Sequence, residues 1–166
     1  MTPKLHCDFK EFLFSLVRHD VKFVVIGAHA LATLGRPRYS EDLDVFVEAS
    51  EQNAQRVSAA IREFGGFDAL ANAVVEHMAE PDRMFTMGTP PVAIDVTTSI
   101  DGVTFEEAWL GRAVHVVDEV AIPFIGKSEY VRTKRAADRP KDRADLAMLA
   151  EAGLLDDDPD EAEGPE

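Results

Sequence analysis

The chain has 166 residues, 46% of them hydrophobic, and a formal net charge of −14 at pH 7. That length suits one domain with its own core. No apolar run approaches the roughly 18 residues of a membrane span, and the acidity argues against broad, non-specific nucleic-acid binding.

The start, MTPKLHCDFK, lacks the apolar core of a signal peptide, and the single cysteine, Cys7, excludes an internal disulfide or a cysteine-rich metal site. Both point to a cytoplasmic protein. Phe9, Phe12, Leu13, Leu16 and Val17 recur at helical spacing, which predicts an amphipathic helix over 8–19. VKFVVIG, 21–27, reads as a buried strand ended by Gly27. AHALATLG predicts a short helix closed by Gly35, and Arg36 to Ser40 form a loop around Pro37. A second strand runs over 42–48. Ser50 caps a helix to about Phe64, ended by Gly65-Gly66.

Ala69 to Met78 reads as a short helix. RMFTMG and PVAIDVTTS flank Thr89-Pro90 as a strand hairpin, and Thr104 to Trp109 makes a helical turn or two. AVHVV and VAIPFI form another strand pair, joined at Asp118-Glu119. Ser128 is the expected cap of a helix to about Asp138. Pro140 suits the first position of a last helix, with Asp142 in its first turn and Gly153 past its end. Irregular alternation of helices and strands predicts an α/β (α+β) domain over 1–155, a mixed sheet flanked by helices. The segment from Asp156 to Glu166 carries seven acids and no base, half of the net charge, and reads as a disordered acidic tail. Between Arg132 and Arg143 the balance reverses, with six bases against Asp138 and Asp142. That is either a solvated helical face or a phosphate-facing surface.

Asp42-Leu43-Asp44 stands out inside the second strand. Side chains alternate along a strand, so the two carboxylates share a face about 6.6 Å apart while Leu43, Val45 and Val47 take the other. Two like charges so placed repel unless a cation bridges them. The strand–Gly27–helix junction upstream offers backbone N–H groups to a phosphate, and His29 sits beside it. Asp95, inside the apolar run Val92 to Val96, needs a partner. Either a hydrogen bond to Thr97, Thr98 or a backbone amide supplies it, or a metal shared with Asp42 and Asp44 does.

Gly27-Ala28, the Asp42-x-Asp44 pair and Asp95 in this order resemble the DNA polymerase β-like nucleotidyltransferase superfamily. Lys134 and Arg139 at K-x4-R spacing, with Arg139-Pro140-Lys141-Asp142, resemble the C-terminal motifs of its AbiEii-type branch, which includes toxins of toxin–antitoxin systems. The order GAHA, DLD, IDV, FEEAW, KRAADRPKD is similar to that of small bacterial and archaeal members. The resemblance covers Val21 to Leu149. It implies Mg²⁺ or Mn²⁺ held by Asp42, Asp44 and Asp95, with Asp95 as ligand or base on the nucleophile side. It implies an NTP whose phosphates meet Gly27 and Ala28, and Lys134 offsetting charge on the leaving pyrophosphate. Arg139 would reach a phosphate, and Asp142 would orient Lys134 or Lys141. The superfamily usually has Gly-Ser or Gly-Gly where this chain has Gly27-Ala28, so only backbone donors remain there. The expected activity is transfer of NMP to a hydroxyl of RNA, including tRNA, of protein or of a small molecule, beside a cognate toxin or antitoxin. The alternative is a degenerate nucleotide-binding or protein-interaction module of the same fold.

Overall fold

The computed structural model describes residues 4–155, so the acidic tail read over 156–166 lies outside the described residues. Its centre is β1 (Phe23–Ile26), where Val24 and Val25 are fully buried. A strand buried on both faces needs neighbours on both edges and cover above and below. β2 (Asp42–Val47) pairs antiparallel with one edge, and β6 (Val120–Phe124) lies parallel to the other. β4 (Ala93–Thr97) adds parallel to β2, and β3 (Met84–Met87) antiparallel to β4. β5 (Ala113–Val117) closes the far side against β6. Among the described residues this gives a six-stranded mixed sheet, β3-β4-β2-β1-β6-β5.

Helices cover the sheet as expected of a mixed α/β fold. α1 (Cys7–Arg18) buries Phe9, Phe12, Leu13 and Leu16 from its apolar stripe and packs on α3 (Glu51–Gly65). Ser50 caps α3 by accepting from the Asn53 N–H, and Gly66, at φ 63°, ends it. α4 (Asp68–His77) packs against α3. α5 (Phe105–Leu110) starts with a capping box in which Thr104 and Glu107 each accept the other's backbone N–H. α6 (Lys127–Ala137) and α7 (Pro140–Glu151) form the C-terminal pair, with Pro140 in the first turn of α7. No helix among the described residues is long and apolar enough to cross a membrane.

Several boundaries differ from the sequence reading. β1 begins at Phe23, because Asp20 turns at φ 54° and the Val21 N–H closes α1 on the Leu16 carbonyl. Gly27 is the first residue of α2 (Gly27–Thr33) instead of the last of the strand. Ser128 does not cap α6; Gly126 occupies that position, with no side-chain bond. There a built Cβ would run into the Gly111 carbonyl oxygen, so the chain approach selects glycine over a capping serine.

The register of β2 is firmly held. Leu43, Val45 and Val47 are fully buried, while Asp42 and Asp44 are half-buried on the opposite face. Each of those apolar side chains contributes about 1.5–3 kcal/mol by burial, whereas a one-residue slip would put both carboxylates into the core.

Candidate functional site

The site forms where the start of β2, the middle of β4 and the later turns of α6 meet, and the register between the two parallel strands sets it. Asp44 lies directly opposite Asp95, and Asp42 opposite Ala93. Residues of one parity share a face, so Asp42, Asp44 and Asp95 emerge together. They line an open cleft of about 540 Å³. Gly27, Ala28, Lys134, Arg139, Lys141 and Asp142 line the same cleft. The sequence motifs scattered over more than a hundred residues thus converge on one cavity.

Asp44 titrates well away from an ordinary carboxylate. Burial pushes its pKa up first, the neighbouring Asp95 and Asp42 add to this, and Lys141 and Lys134 oppose it; the result is about 6. Gly27 explains the burial. It sits at φ 70°, and a Cβ built on it would run into Oδ2 of Asp44. Glycine there serves both the left-handed backbone and the close approach of the carboxylate to the start of α2.

Asp95 finds a partner other than those anticipated. Thr86 Oγ1 donates to Asp95 Oδ1 at 2.6 Å from the directly paired position on β3. Thr97 and Thr98 instead donate to backbone carbonyls, of Ser99 and of Glu80 respectively. A cross-strand neighbour is nearer than a residue two along the same strand. The hydrogen bond uses one oxygen of Asp95 and leaves the carboxylate at the cleft.

His29 does not join this group. It turns towards α1, edge-on to Phe9 at 5.5 Å between ring centroids, and its Nε2 is buried with no hydrogen-bond partner. Burial holds its pKa below the usual imidazole range, the Asp42 backbone works the other way, and Arg38 adds slightly to the lowering. Its proximity in sequence to Gly27 did not bring its side chain into the cleft.

On the opposite wall α6 and α7 carry a buried ionic network. Lys134 Nζ lies 3.1 Å from Asp142 Oδ1 and 3.1 Å from Asp145 Oδ2. Arg38 grips Asp145 with two nitrogens, Nε at 2.8 Å and the second at 3.2 Å. Arg139 donates to Asp142 at 2.7 Å through Nε, and its backbone N–H donates to the same carboxylate at 3.1 Å. Burial raises the Asp142 pKa, but the bonds from Arg139 and Lys134 outweigh it and hold the group at about 2. Of the two partners anticipated for Asp142, it takes Lys134 and not Lys141. Arg139 is 71% exposed, so its guanidinium is anchored at one side and open at the other.

The basic segment therefore divides. Arg132 and Arg143 pair on the surface with Glu107 and Asp138, while Lys134 and Arg139 belong to the cleft wall. Sequence reasoning missed Arg38 and Asp145. Asp145 follows Asp142 by three residues on a helix, which puts both acids on one face beside the basic run; that spacing was the available signal. Arg38 lies in an irregular loop and carried none.

The cleft carboxylates suit a hard divalent cation by donor type; burial first, and then the neighbouring Asp95 and Asp42, raise the Asp44 pKa. They are not drawn onto one point. Among the described residues only His6, Cys7 and Asp8 bring three such ligand atoms within 4.8 Å of one another. That trio, with His6 and Cys7 exposed and Asp8 half-buried, is the cap of α1, where His6 Nδ1 accepts the Asp8 N–H.

No curated protein matches the chain significantly. The family described as "Nucleotidyl transferase AbiEii toxin, Type IV TA system" matches residues 11–163, a span that takes in the carboxylate strands, the glycine junction and the α6–α7 wall. The chain belongs to the AbiEii nucleotidyl transferase toxin family.

Proposed function

We propose that this nucleotidyl transferase moves a nucleoside monophosphate from an NTP to an acceptor hydroxyl and depends on Mg²⁺ or Mn²⁺ in doing so. The observation that carries this reading is the meeting of Asp42, Asp44 and Asp95 on one cleft face, opposite Lys134 and Arg139. Asp42, Asp44 and Asp95 would hold the cation. When bound, it supplies Lewis acidity at the phosphate and lowers the pKa of the attacking hydroxyl.

The chain's own groups account for the rest. Lys134, fixed between Asp142 and Asp145, presents a positive charge to the departing pyrophosphate without first having to order itself. Arg139 keeps part of its planar fork free for a phosphate. Lys141 is exposed at the cleft and its charge reaches Asp44, so it can meet a triphosphate near the carboxylates. Asp95, aligned by Thr86, would take the proton of the acceptor hydroxyl. Ala28 lines the cleft without a hydroxyl, so phosphate contact there is left to the backbone. RNA, including tRNA, protein and small molecules remain the acceptor classes. A cytoplasmic setting with a cognate antitoxin fits the type IV toxin–antitoxin family.

A second reading, nucleotide binding without turnover, draws on Ala28 and on the open spacing of the three acids. Transfer of label from an α-labelled NTP by the wild type, and not by Asp44→Ala, supports the enzyme. Cation-dependent NTP binding without any transfer would favour the second reading.

A further inference from the structure

At the end of the sheet away from β3, β5 presents an edge with no strand beside it among the described residues. Its sequence, AVHVV, contains no charge, proline or bulge, and its register with β6 is unbroken from Ala113 to Val117. Edges of monomeric proteins normally carry such protections. On the outer face Val114 is 57% exposed and Val116 59%. Their cross-strand neighbours there, Pro123 and Ala121, extend the apolar surface.

The hydrogen-bonding parity of this edge can be worked out. The two-residue turn Asp118-Glu119, at φ 46° and 69°, closes on the pair Val117–Val120. In such a hairpin the closing pair exchanges hydrogen bonds, and bonded and non-bonded pairs then alternate. Val114 opposite Pro123 is therefore a non-bonded pair, which suits a proline with no N–H. It follows that the N–H and C=O groups of Val114 and Val116 point outwards, to the open edge.

We propose that β5 pairs antiparallel with β5 of a second copy of this chain, centred on His115, to form a two-fold dimer with one continuous sheet. The strand is self-complementary about that point. Val114 falls opposite Val116 of the other copy, and both have outward backbone groups, so each such pair exchanges two hydrogen bonds. The four valines merge into one apolar patch. Arg112 falls level with Asp118 of the other copy at each end, so opposite charges meet twice. Arg112 now stacks on Trp109 at 3.8 Å, and Asp118 pairs with Lys10 at 2.9 Å while remaining 61% exposed. Of the residues in this pairing, none lines the cleft.

His115 sits on the two-fold axis as a non-bonded pair with itself, where Cα atoms approach to about 4.5 Å. That separation lies within the range of a disulfide. The test uses the full chain carrying Cys7→Ser. Under mild oxidation His115→Cys is expected to become a cross-linked dimer, several-fold ahead of Val114→Cys, whose counterpart in the other copy is Val116. In parallel, sedimentation of the wild type should show a mass rising with concentration above the 18.3 kDa of one chain. The doubly substituted Val114→Lys, Val116→Lys chain should stay at one chain's mass with unchanged circular dichroism and unchanged nucleotide transfer. A wild type that remains monomeric, or equal cross-linking of the two cysteine variants, would overturn the proposal and leave the edge to a strand of a different protein.

Discussion

Asp44 is a carboxylate held where ionisation is costly. Its folded pKa of about 6 stands above the ordinary 3.8, so in the cation-free protein the folded state binds the proton more tightly than the unfolded chain. The sign follows from linkage: below pH 4 the group costs nothing, and stability declines as pH rises through 6. The shift corresponds to about 3 kcal/mol. Asp44→Asn should therefore raise the urea midpoint at pH 7.5 in EDTA and leave it unchanged near pH 4. Equal effects at both pH values would contradict the account. Gly27 supports the same carboxylate. Gly27→Ala meets a left-handed backbone penalty of about 1–2 kcal/mol and displaces Asp44, which should lower transfer by about a hundredfold. Circular dichroism alongside the rate separates displacement from unfolding. At this scale the Asp42-Leu43-Asp44 alternation was legible, because a two-residue period with buried Leu43 leaves one arrangement. His29 was not, since the direction of a side chain at a helix start depends on what packs there, and Phe9 comes from a distant element.

Elements bring the rest of the site together. α6 and α7 contact each other through Lys134, Asp142 and Asp145, and the loop before β2 contributes Arg38. Breaking a buried pair leaves a charge without its partner. Asp145→Ala should cost about 3–5 kcal/mol of stability, measured by denaturant unfolding. Arg143→Ala, which removes a surface pair with Asp138, should leave the midpoint where it was. A smaller loss in the first variant than in the second would mean the network is not a unit. Helix positions were readable from apolar spacing and from caps such as Ser50. The start of α6 was misread because the choice of Gly126 depends on the backbone at Gly111, a contact no local pattern encodes.

For the whole molecule, the order of motifs was enough to identify the mixed α/β fold and the family, and the match over 11–163 agrees. Strand order was not legible. The pairing of β2 with β4, which puts Asp95 opposite Asp44, joins segments separated along the chain by α3, α4 and β3. The central claim is that this cleft transfers nucleotides through its three carboxylates. Its most direct test is incubation with each α-labelled NTP, Mg²⁺ or Mn²⁺, and total RNA or native lysate. Wild type and Asp44→Ala are compared side by side. A discrete labelled acceptor with the wild type, lost in the variant and on chelation, is the predicted result. Equal labelling by both chains would contradict it.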